Sequence, residues 1–130
     1  MNQQANLTAG KAVNKTITII SLWTWRFRGP TAFNQYDVEV AAAPTIGKML
    51  QAAYVQTNLD GRPHGKHVCS TTTGDLMVLN GVYYLVAAQG FHQLTQEQAD
   101  HEIVLANTLT PEEWATRNLA VKNQPGVPVS

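Results

Sequence analysis

Residues 76–86 read LMVLNGVYYLV, two apolar runs parted by Asn80-Gly81. A type I′ turn needs positive φ at both central residues, and Asn-Gly is a pair that accepts this, so the stretch predicts a β-hairpin. Both arms, residues 76–79 and 82–86, are close to continuously apolar. Strands of that kind are covered on both faces, which places the hairpin at the centre of the core. The stretch just before it, His64-Gly-Lys-His-Val-Cys-Ser-Thr-Thr-Thr-Gly-Asp75, carries histidines, a lysine, a cysteine and an aspartate. It lies in a long polar connection, residues 62–73, and reads as a solvent-facing loop rather than a built reaction centre.

Outward from the hairpin, residues 16–27 are rich in β-branched and aromatic types and predict a strand with imperfect alternation, ended by Arg28-Gly-Pro30. On such a strand Trp23 and Trp25 share one face and Arg26 takes the other. Residues 36–41 predict a second strand, with Tyr36, Val38 and Val40 on one face and Asp37 and Glu39 on the other. Pro44 suits a first helical turn, and Ile46, Met49, Leu50, Ala53 and Tyr54 recur at helical spacing over residues 44–57. Gly61 is then expected to supply a left-handed stop. Residues 89–92 read as a turn or bulge. Thr95-Gln-Glu-Gln98 has the form of a capping box opening a helix to about Ala106, although residues 102–105 also fit a short strand. Thr110-Pro-Glu-Glu113 opens another helix, to about Lys122, anchored by Trp114 and Leu119. The fold class is therefore α+β: a small antiparallel or mixed sheet with a central β-hairpin packed against two or three helices.

A chain of 130 residues suits a single domain that buries roughly two-thirds of its extended surface. Residues 16–122 form that domain, with residues 1–15 and 123–130 as flexible ends. Its 44% apolar content supplies a core, while 14% charged residues leave much of the surface to Asn, Gln, Thr and Gly. Lys plus Arg and Asp plus Glu number 9 each, so no global field draws in nucleic acid or an anionic membrane. One cysteine, Cys69, excludes an internal disulfide. The first ten residues lack the basic start and apolar run of a secretory leader, and the apolar run at residues 17–27 is too short to span a bilayer. The matches Asn6-Leu-Thr8 and Asn14-Lys-Thr16 to the glycosylation pattern have no secretory context, so the expected location is the cytoplasm, with no membrane partner.

Several of these features coincide in one resemblance. Arg62-Pro63 and Gly65 in the loop, Thr72-Thr73-Gly74-Asp75 in a polar step, the apolar run 76–79, Gly81 with Tyr83-Tyr84, and the closing Gly90-Phe91 follow one another in a set order. Residues 59–91 thereby resemble the core motif of the YodL-like family, small proteins of bacteria and their mobile elements with no assigned activity. Lys66-His67-Val68-Cys69 departs from the small hydroxyl residues of that family. The resemblance implies an architecture and a plasmid or phage setting, and no reaction.

Three functional readings compete on residue chemistry. Aromatic side chains anchor protein interfaces, and Trp23, Trp25 and Tyr83 make the chain a non-enzymatic binding or accessory protein with a protein partner. Arg62, His64, Lys66 and His67, interleaved with Gly61 and Gly65, form a basic loop suited to a phosphate or nucleic-acid backbone, the mark of a nucleic-acid-binding regulator. The loop lacks the G-x-x-x-x-G-K-[ST] spacing of nucleotide hydrolysis. The third reading is a small metal- or cysteine-dependent hydrolase. Cys69 with His67 or His92 and Asp75 has the types of a thiol nucleophile, base and orienter. His64, His67 and Cys69, joined by His92 or His101, have the types of a zinc set at unusual spacing. The plainer reading makes Cys69 a core residue and Asp75 a turn residue that accepts local amides. No cofactor, catalytic residue or metal ligand is assigned.

Overall fold

The computed structural model describes residues 14–24, 34–59, 61–62, 64 and 69–122. The elements follow in the order β1 (Asn14–Ile20), β2 (Gln35–Ala41), α1 (Ile46–Gln56), β3 (Leu76–Leu79), β4 (Val82–Val86), β5 (Phe91–Leu94), α2 (Gln96–Thr108) and α3 (Pro111–Lys122). A further helical segment occupies residues 22–24. The five strands form one antiparallel sheet in the order β2-β1-β3-β4-β5, an α+β arrangement with the hairpin inside it.

Asn80 and Gly81 take φ of 54° and 77°, and β3 pairs with β4 in the register Leu79↔Val82 and Met77↔Tyr84. The apolar arms follow from the layers. Met77, Leu79, Tyr84 and Val86 point to the face covered by Met49, Leu50 and Ala53 of α1. Leu76, Val78, Tyr83 and Leu85 point to the other face, where Ala99 and Ala106 of α2 and Trp114 of α3 pack. β1 belongs to both: Ile17 and Ile19 face α1, whereas Ile20 reaches the second layer beside Leu76.

Several expectations need correction. The strand expected over residues 16–27 starts earlier, at Asn14, and stops at Ile20. β1 ends at Ile20 and residues 22–24 are helical, so Trp23 is not on a strand. The first two residues of β1 also lie inside the segment expected to be flexible. Pro44 precedes the helix instead of entering it, because the Thr45 hydroxyl caps α1 by accepting the Lys48 amide at 3.2 Å. Gly61 does not adopt a left-handed conformation. The α1 carbonyls are met by side chains: the Thr57 hydroxyl donates to the Ala53 carbonyl at 2.9 Å, and Asn58 Nδ2 donates to Tyr54 at 2.8 Å. Beyond β4, Gly90 at φ 85° turns the chain into a fifth strand where only a turn or bulge was expected.

The capping box at Thr95 is formed in both directions, with the Thr95 amide donating to Gln98 at 2.9 Å and the Gln98 amide to Thr95 at 3.1 Å. Residues 102–105 are helical rather than extended. Thr110 and Glu113 make the same reciprocal pair at the start of α3. Arg117 pairs with Glu102 and lies over the Trp114 ring, 5.5 Å from its centroid, tying α3 to α2. The Leu119 side chain and residues 1–13 and 123–130 lie outside the described residues.

Candidate functional site

β1 runs antiparallel to both its neighbours, so its end meets the starts of β2 and β3. Ile20 is opposite Gln35 on one side and Leu76 on the other. The buried polar residues Ser21, Thr24, Asn34, Thr71 and Asp75 gather at this end. The Asp75 side chain is the pivot. Its Oδ1 accepts the Trp23 amide at 3.2 Å and its Oδ2 accepts the Thr72 amide at 3.0 Å. Complete burial pushes the carboxyl up to about 7, against the downward pull of the Thr72, Trp23 and Leu22 amides. The carboxylate therefore clamps the loop before β3 to the chain leaving β1. Two further bonds join these segments: Trp23 Nε1 donates to the Thr73 carbonyl at 2.8 Å, and the Cys69 amide donates to Thr24 Oγ1 at 2.8 Å.

The candidate loop residues are placed as follows. Arg62 is half-buried, and its amide donates to the Leu59 carbonyl at 3.1 Å. His64 is exposed, has φ of 57° and stands edge-on to Tyr36 with ring centroids 5.4 Å apart. Burial raises the Tyr36 phenol, with Asp75 adding to the rise while Thr71 and Arg62 oppose it. Lys66 and His67 lie outside the described residues.

The residues of the hydrolase reading are not brought together where they can be followed. Asp75 spends both oxygens on backbone amides rather than on an imidazole. His92 sits on β5, opposite Leu85 and two strands from β3, and His101 is exposed on α2. Among the described residues no group of three His, Cys, Asp or Glu side chains could hold a metal ion.

Of the interface candidates, Trp23 is half-buried and packs edge-on against Trp114, centroids 6.3 Å apart. Tyr83 is half-buried in the layer beneath α2 and α3. Both contribute to packing inside the fold, and Trp25 lies outside the described residues.

A different surface emerges at the sheet margin. In an antiparallel pair, residues alternate between directing both N–H and C=O at the partner strand and directing both away. The Ser21 amide donates to the Asn34 carbonyl at 2.7 Å, which sets that phase. Asn34, Tyr36, Val38 and Val40 therefore face β1, and Gln35, Asp37, Glu39 and Ala41 turn their peptide groups outward. The side chains of these four are exposed as well. Of the outward groups, the Glu39 carbonyl accepts Gln56 Nε2 from α1 at 3.3 Å. On the inner side, Thr18 Oγ1 donates to Asp37 at 2.6 Å and Asn14 Nδ2 to Glu39 at 3.2 Å, which fixes both carboxylates beside β1. The alternation of β2 was legible in the sequence; its place at the edge was not.

Compared with protein-family models, curated proteins and solved structures, the chain matches none.

Proposed function

We propose that this chain is a non-catalytic docking protein that holds a partner protein along the outer edge of β2. The observation that carries the reading is the outward row of peptide groups at Gln35, Asp37, Glu39 and Ala41 on a seven-residue strand. Sheet edges are normally blunted by shortness, charged side chains, proline, bulges or a cover, because unpaired peptide groups invite another strand. The opposite edge follows that rule, since β5 has four residues. β2 is longer, pairs with β1 without a bulge from end to end, contains no proline, and among the described residues is blunted only by the charges of Asp37 and Glu39 and by the Gln56 bond to the Glu39 carbonyl. Strand addition along such an edge draws affinity from main-chain hydrogen bonds and specificity from alternate side chains. The plasmid or phage setting of the proposal rests on the resemblance over residues 59–91.

Asp37→Pro tests this reading. The Asp37 N–H points away from β1, so proline there removes a donor from the outer edge without removing a bond of the β1–β2 ladder. Full-length tagged protein, wild type and variant, is captured from the cells that encode it. A stoichiometric protein that co-elutes with wild type and is lost from a variant that still unfolds in one cooperative transition is the expected result. Equal recovery from both, or recovery of nucleic acid alone, would overturn the proposal, and the second of these would put the nucleic-acid reading of the basic loop at residues 62–67 ahead of it.

A further inference from the structure

Resting on that docking reading, we infer that the segment β2 accepts is an extended stretch of a partner protein with lysine or arginine at alternate positions, added as a sixth strand. The inference comes from the charge on the open row. Asp37 and Glu39 are adjacent positions on one face of β2, flanked by Gln35 and Ala41, and all four side chains are exposed. The row carries two carboxylates and no cation. Their neighbours on β1 are Thr18 and Thr16, and Lys15 of β1 lies opposite Val40 on the other face, so among the described residues no cation of the sheet shares their face. The bonds from Thr18 and Asn14 position the carboxylates and leave their charge in place.

An incoming strand that pairs with the outward peptide groups sets its own alternate side chains directly opposite this row. Opposite charges at such positions are favourable and like charges unfavourable. The rule bears first on a second copy of the chain. The antiparallel self-pairings that overlap most of β2 are centred on Asp37, Val38 or Glu39. Centring on Val38 sets Asp37 opposite Glu39 of the second copy twice over, and centring on Asp37 or Glu39 sets that residue opposite itself. Every one of these registers pairs carboxylate with carboxylate, so the edge, as the described residues leave it, repels its own copy while remaining open to a cationic strand. Discrimination of this kind needs a repulsive element as well as an attractive one, and the two acids supply both.

The test uses full-length protein and two blocked seven-residue peptides, one alternating threonine with lysine and one alternating threonine with glutamate. Amide hydrogen exchange is followed residue by residue. The threonine–lysine peptide is expected to slow exchange at Gln35, Asp37, Glu39 and Ala41 by about tenfold near saturation. The glutamate peptide should leave these amides unchanged, and added salt should weaken the effect. The double variant Asp37→Asn/Glu39→Gln should lose the preference between peptides at an unchanged melting temperature. Equal protection by both peptides, protection by neither, or concentration-dependent protection without peptide would overturn the inference. If capture from cells still depends on position 37 while the peptides are not distinguished, docking at β2 stands and the charge requirement falls.

Discussion

Asp75 joins segments 52 positions apart in the chain, through its bond to the Trp23 amide. The Thr72-Thr73-Gly74-Asp75 turn was legible locally, since a carboxylate that accepts an amide three residues back is ordinary turn chemistry. The reach to residues 22 and 23 was not, because it depends on β1 ending beside β3. The pH dependence of stability follows from this residue. Its carboxyl is raised from the ordinary 3.8 to about 7 in the folded chain, so the proton is bound more tightly when folded. The resulting stabilisation is full below the unfolded value and is lost as pH rises through the folded one. Unfolding free energy should therefore fall by on the order of 2 kcal/mol between about pH 5 and pH 8. Urea titrations across that range check it, and in Asp75→Asn this fall should be largely absent.

Among the elements, the hairpin and the two helices opened by reciprocal capping pairs, α2 and α3, follow their local signals because each signal completes its own hydrogen bonds. The turn at Asn80-Gly81 is closed by backbone conformation, and the caps at Thr95 and Thr110 by residues three positions on. Gly81 and Gly61 allow a matched comparison. A methyl group would meet nothing within 4 Å at either position, but only Gly81 has positive φ, at 77°. Gly81→Ala should therefore cost about 1 kcal/mol through backbone strain alone. Gly61→Ala should stay within about 0.5 kcal/mol of wild type in the same chemical denaturation experiment. Elements without such closure depart from their local signals. The strand expected over residues 16–27 has β-type residues throughout, yet Ser21 and Thr24 bond each other at 2.7 Å and the chain turns helical. β5 has little local signal, because its four residues include His92 and Gln93, and it is ordered by pairing with β4.

At the scale of the whole molecule, one sheet separates two apolar layers that share every central strand. A loss in either layer should then be felt by both. Leu50→Ala, in the layer under α1, should cost about 2 to 5 kcal/mol. Tryptophan fluorescence, to which Trp114 and Trp23 of the opposite layer contribute together with Trp25, and far-ultraviolet circular dichroism should still give coincident transitions, and separate midpoints would show the layers unfolding independently. By itself the sequence determined the hairpin, the starts of α2 and α3 and the two-faced character of β2, because turn conformation, capping and side-chain period act over a few residues. Only the tertiary structure decided the strand order, the engagement of Asp75 and Trp23, and the position of β2 at an edge. These depend on which distant segments become neighbours, and that is set by the joint burial of both faces of the sheet rather than by any local run of residues.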